Sequence, residues 1–125
     1  MKKAIIASAA LSASSAQATV PPHFGPDRAA GRWEIHKNDK SKSCELILTK
    51  TYNPKLQAHI AKSDMSCKAM LGGTVVSWRG GTDSMYLGIK KPDQSRPAYI
   101  RFEADNLRDI DSSNFVGEDF TLFRS

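Results

Sequence analysis

Short runs of alternating apolar and polar residues, broken by turn-forming pairs, constrain this chain more than any other feature. Trp33 and Ile35 alternate with Arg32, Glu34 and His36. Cys44, Leu46 and Leu48 alternate with Glu45 and Thr49, with Ile47 on the polar side. Leu56, Ala58 and Ile60 alternate with Gln57 and His59, and Val76 and Trp78 flank Ser77. Met85, Leu87 and Ile89 alternate with Tyr86, Gly88 and Lys90, and Ala98, Ile100 and Phe102 with Tyr99, Arg101 and Glu103. Period two is the signature of strands with one buried face. Residues 107–110 and 120–123 are weaker strands of the same kind. Turn chemistry lies between the runs, at Asn38-Asp39-Lys40, Asn53-Pro54, Gly72-Gly73, Gly80-Gly81, Pro92-Asp93 and residues 111–114. One helical turn is expected over residues 65–70, capped by Asp64 and stopped by Gly72-Gly73.

Seven or eight such strands must bury their apolar faces, either by stacking as a sandwich or by closing into a barrel. Closure also removes exposed sheet edges. The expected fold is all-β, an antiparallel up-and-down barrel. Its interior is either filled by side chains or able to hold one small ligand.

The chain begins differently. Lys2 and Lys3 precede an apolar run from residue 4 to 11, and small residues follow to Ala16-Gln17-Ala18. This reads as a secretory signal with an A-x-A cleavage pattern, too short to span a bilayer. Cleavage between Ala18 and Thr19 divides the chain into a signal peptide (residues 1–18), an N-terminal segment with linker (19–30) and a barrel domain (31–125). Residues 19–27 read TVPPHFGPD, with three of the six prolines and no apolar period. Prolines restrict φ and favour extended backbone. A stiff segment of this kind suits neither a frayed tail nor a first strand.

Export bears on the two cysteines, Cys44 and Cys67. A pair in an exported chain is expected to be bonded, and a bridge here closes a loop of about two dozen residues. The alternative, a metal or redox pair, lacks a CxxC and a nearby histidine. Without Lys2 and Lys3 the formal charge falls from +5 to +3. The lysines at 37, 40 and 42 are interrupted by Asp39, so a nucleic-acid partner is not expected. No HExxH, GxSxG, phosphate loop or EF-hand loop is present. His36 and His59 fall on expected outer faces, and Asp105, Asp109 and Asp111 lack the glycine and glutamate of a calcium loop. The chain therefore reads as a non-enzyme without a cofactor or metal of its own, with no membrane span, and as a monomer.

Several of these pieces occur together in one known family. They are Gly31-x-Trp33, Cys44-Glu45-Leu46-Ile47-Leu48, Asp64-x-x-Cys67 followed by Met70-Leu71, Val76-x-Trp78, Asp83-Ser84-Met85-Tyr86-Leu87 and Ile100-Arg101-Phe102. From Gly31 to about Phe102 the chain resembles the small periplasmic inhibitors of secreted bacterial zinc metalloproteases, the alkaline-proteinase (serralysin) inhibitor family. The resemblance implies an eight-stranded antiparallel barrel with one disulfide. It implies a periplasmic location and a serralysin-like protease as partner. It further implies that the mature N-terminus is a trunk that enters the protease cleft and reaches the catalytic zinc. In this sequence the trunk is Thr19, Val20, Pro21, Pro22 and His23. The trunk itself shares little sequence with the family; length and position carry the correspondence. Thr19 would offer an amine, a hydroxyl and a carbonyl oxygen to the target's zinc. A free α-amine has a pKa of about 8 and donates its lone pair once deprotonated. A small periplasmic ligand-binding barrel carrier is the alternative expectation.

Overall fold

The computed structural model describes residues 25–125. Eight strands close into a barrel in sequence order, each antiparallel to the next. They are β1 (Gly31–Lys37), β2 (Ser43–Asn53), β3 (Ala58–Ser63), β4 (Thr74–Gly80), β5 (Ser84–Lys90), β6 (Ala98–Ala104), β7 (Phe115–Val116) and β8 (Phe120–Arg124). Closure comes from β8 pairing with β1, with Trp33 opposite Arg124 and Lys37 opposite Phe120. Two short helices sit at opposite ends. Helix α1 (Pro26–Ala29) leads into β1, and α2 (Met65–Leu71) connects β3 to β4.

The inward positions fill the barrel. Trp33, Trp78, Phe102, Phe115, Met85, Leu87 and Leu122 are all fully buried. Trp33 meets Phe115 edge to face, with centroids 5.9 Å apart. Each indole N–H has a backbone acceptor, as a buried donor requires. Trp33 Nε1 donates to the Ala29 carbonyl at 2.8 Å and Trp78 Nε1 to the Thr49 carbonyl at 3.0 Å.

The short helix forms as its sequence dictates. Asp64 caps α2, its carboxylate accepting from the Cys67 N–H at 3.2 Å. Gly72 ends the helix with φ +76°, and its N–H bonds the Lys68 carbonyl. This turn brings Cys67 to Cys44 of β2, where the two form a disulfide with Cα atoms 5.2 Å apart.

Three expectations are corrected. In β4 the buried apolar residues are Val75 and Trp78, so Val76 and Trp78 do not share a face. A register shift between Val75 and Ser77 makes Val76 an extra residue that flips the phase. In β3, His59 lies opposite the buried Trp78, not on the outer face, and Ala61 rather than Ile60 joins the core. Leu56 lies before that strand, in the turn. Finally, residues 107–110 are not a strand. That stretch is loop running into a 3-10 turn (Ile110–Ser112), and the seventh strand is Phe115–Val116.

Candidate functional site

The trunk residues Thr19, Val20, Pro21, Pro22 and His23, and the cleavage position Ala18–Thr19, lie outside the described residues. What the structure provides is the root from which that segment leaves the barrel.

The root is α1. Pro26 stands at the first helical position, where its missing N–H costs nothing and its φ is already helical. The Arg28 and Ala29 N–H groups both bond the Gly25 carbonyl, at 3.0 and 2.9 Å. Ala29 is fully buried, and its carbonyl receives the Trp33 indole. Linker and barrel therefore share one core; residues 25–30 are not a free tether. Gly31 makes the bend into β1 at φ +134°, a region that side-chain-bearing residues rarely enter.

Two ion pairs clip α1 sideways. Arg28 Nε donates to Asp111 Oδ1 at 2.7 Å, tying the helix to the 3-10 turn between β6 and β7. Asp27 Oδ1 lies 3.9 Å from Lys50 Nζ on β2. Asp111 also acts on Arg124, whose guanidinium stacks 4.5 Å from the Trp33 ring centroid. Burial holds Arg124 below its ordinary pKa, and the Asp111 charge pulls it back up. Exposed pairs of this sort contribute only about 0–1 kcal/mol each. They add side contacts from α1 to the 3-10 turn and to β2 beside the buried Ala29.

The disulfide stands at the other end. Cys44, Asp64 and Cys67 bring potential metal ligands within 4.8 Å of one another. Both sulfurs are consumed by the bridge, and Asp64 Oδ1 accepts from the Ser66 hydroxyl at 2.6 Å as well as capping α2. That cluster is structural. His36 bonds Glu34 at 2.9 Å on the outer face and meets the Phe123 ring. His59 is half-buried between the Tyr52 and Trp78 rings, at 5.4 Å from each.

The residues that sequence reasoning missed are Asp27, Arg28, Ala29 and Asp111. Pro26 followed by Asp27 is a helix-start signal, but it opens a helix of only four residues. The Arg28–Asp111 pair spans 83 positions and leaves no local trace.

No protein-family model matches the chain, and no curated protein matches it. Among the described residues, no helix is long and apolar enough to cross a membrane.

Proposed function

We propose that the protein is a periplasmic inhibitor of a secreted zinc metalloprotease of the serralysin type. Thr19, Val20, Pro21, Pro22 and His23 plug the active-site cleft, and the barrel serves as handle and stop. The observation that carries this reading is the fixed root. A segment that must enter a cleft gains from leaving a rigid body at a set angle, because less freedom is lost on binding. The buried Ala29, the Trp33–Ala29 hydrogen bond and the Arg28–Asp111 pair supply such a root.

The chemistry follows from the residues. From Gly25 back to Thr19 the chain can span roughly 20 Å at full extension. Pro21 and Pro22 restrict the conformations it samples, and proline lacks the amide hydrogen that a substrate backbone donates. A chain that begins at the zinc presents no scissile bond across it. Its amine, hydroxyl or carbonyl oxygen can act as the ligand in place of the attacking water. The uncleaved precursor cannot inhibit by this route, because its chain continues through residue 18 and does not begin at the zinc.

The filled interior supports this reading over a ligand carrier, since two tryptophans and two phenylalanines occupy the space a cargo would need. The test is a titration of the mature protein against a serralysin-type protease, with the N-terminus read by intact mass. Activity is expected to fall linearly to a one-to-one end point, while a form still carrying residues 1–18 leaves it unchanged. No inhibition by the mature form contradicts the proposal.

A further inference from the structure

One groove on the outside of the barrel, about 550 Å³ in volume, differs in its charge from others on this surface. It is lined by Lys55, Arg79, Ser95, Arg96 and Tyr99 together with Leu56, Gln57 and Pro97, and no aspartate or glutamate lines it. The groove bounded by Arg101 contains Glu103, Glu118 and Asp119, and that bounded by Lys37 contains Asp39, Glu118 and Asp119.

The three cations come from three separate segments: the β2–β3 turn, β4 and the β5–β6 loop. Among the described residues none of them is ion-paired with a carboxylate. Arg79 is nonetheless held still. Its Nε donates to the Gln57 carbonyl and its Nη2 to the Leu56 carbonyl, each at 3.0 Å, and its guanidinium lies 4.4 Å from the Tyr99 ring centroid. Neutral carbonyls fix the group without cancelling its charge, and the other Nη N–H groups are not used by those two bonds.

Tyr99 is fixed in turn. Its hydroxyl meets the Ser77 hydroxyl at 3.1 Å, and Ser77 is fully buried. Beneath them is Gly88, where a Cβ would overlap the Ser77 oxygen and come within 3.2 Å of Tyr99 Cε1 and 3.3 Å of Pro97 Cβ. The absent side chain leaves room for Pro97 over the sheet, and Ser95 and Arg96 next to it line the same groove as Arg79. The barrel could close without such an arrangement on its outer face. Like charges converging without counter-ions repel one another, and an anion relieves that repulsion.

We propose that this groove binds a phosphate group, free or carried on a sugar or a lipid headgroup. A phosphate spreads charge over several oxygens and suits an arginine fork flanked by further cations better than a singly charged carboxylate does. The groove is larger than one oxyanion, so a substituent on the phosphate has room along Leu56 and Pro97. The proposal is independent of protease inhibition.

The test is an NMR titration of the ¹⁵N-labelled mature protein with inorganic phosphate, glucose 6-phosphate and glucose, alongside flotation with vesicles containing phosphatidylglycerol or only phosphatidylcholine. Saturable amide shifts confined to residues 55–57, 79, 95, 96, 98 and 99 are expected with the phosphates and not with glucose. Tighter binding of glucose 6-phosphate than of inorganic phosphate assigns a sugar phosphate. Vesicle binding that requires phosphatidylglycerol assigns a headgroup. The double variant Lys55→Gln/Arg96→Gln removes two charges whose side chains bond nothing in the barrel, and is expected to weaken binding by about tenfold or more. The control Lys37→Gln/Lys42→Gln removes the same charge at the disulfide end and should bind as the parent does. Equal binding by parent and groove variant, equal loss in the control, or shifts spread over all basic side chains overturns the proposal.

Discussion

At the residue scale, contacts that look decorative decide where segments lie. Gly88 is the clearest case. A Cβ there collides with the buried Ser77 hydroxyl, so Gly88→Ala is expected to cost about 1–3 kcal/mol, read from chemical denaturation. Ser77→Ala added to it removes the colliding oxygen and should restore part of the loss. The two changes are in contact and will not be additive. Asp64 makes a second test. The Ser66 hydroxyl is the largest influence holding its carboxyl below the ordinary 3.8, with the Glu45 and Cys67 N–H groups adding to it. A depressed folded pKa means stability that is present above the unfolded value and lost as pH falls through the folded one. Asp64→Asn should therefore flatten the acid limb of a stability profile below about pH 4. Asp64→Ala should cost about 1 kcal/mol at neutral pH through loss of the cap.

At the scale of elements, the strands that read clearly in sequence are those whose alternation is unbroken. Trp33 and Ile35 in β1, and Met85, Leu87 and Ile89 in β5, keep one phase throughout and are buried as expected. The phase of β4 cannot be read locally, because Val76 bulges and reverses it. That of β3 is ambiguous, because alanine occupies both phases, at 58 and 61, and the register of β2 shifts between Leu48 and Tyr52. This bulge frees the Thr49 carbonyl for the Trp78 indole, which no periodicity could foretell. A two-residue β7 is shorter than any pattern that could announce it. By contrast, α2 was fully legible, because a capping aspartate and a glycine stop are local signals. Its placement is fixed by the disulfide, which links positions 23 apart. Removing the disulfide as Cys44→Ala/Cys67→Ala is expected to lower unfolding free energy by about 3 kcal/mol, chiefly by releasing the unfolded chain. Thermal denaturation of the oxidised parent beside the variant measures this.

At the scale of the whole molecule, the two ends of the barrel are held by different means. One end is stapled by Cys44–Cys67 and α2. At the other, α1 is seated on Trp33 and clipped to Asp111 and Lys50. Of the proposed site, composition singles out the N-terminal segment as a candidate, since prolines cluster where no strand or helix pattern runs. Its anchoring was hidden, because Arg28 and Asp111 meet only once the barrel has closed. The proposed function divides the labour: residues 19–23 would inhibit, and residues 25–125 would hold them. The most direct measurement compares the mature protein with a form lacking residues 19–23. Both are titrated against a serralysin-type metalloprotease, and the thermal melt of each is recorded. The account predicts stoichiometric inhibition by the mature protein, none by the shortened form, and melts that coincide. Full inhibition by the shortened form would contradict it.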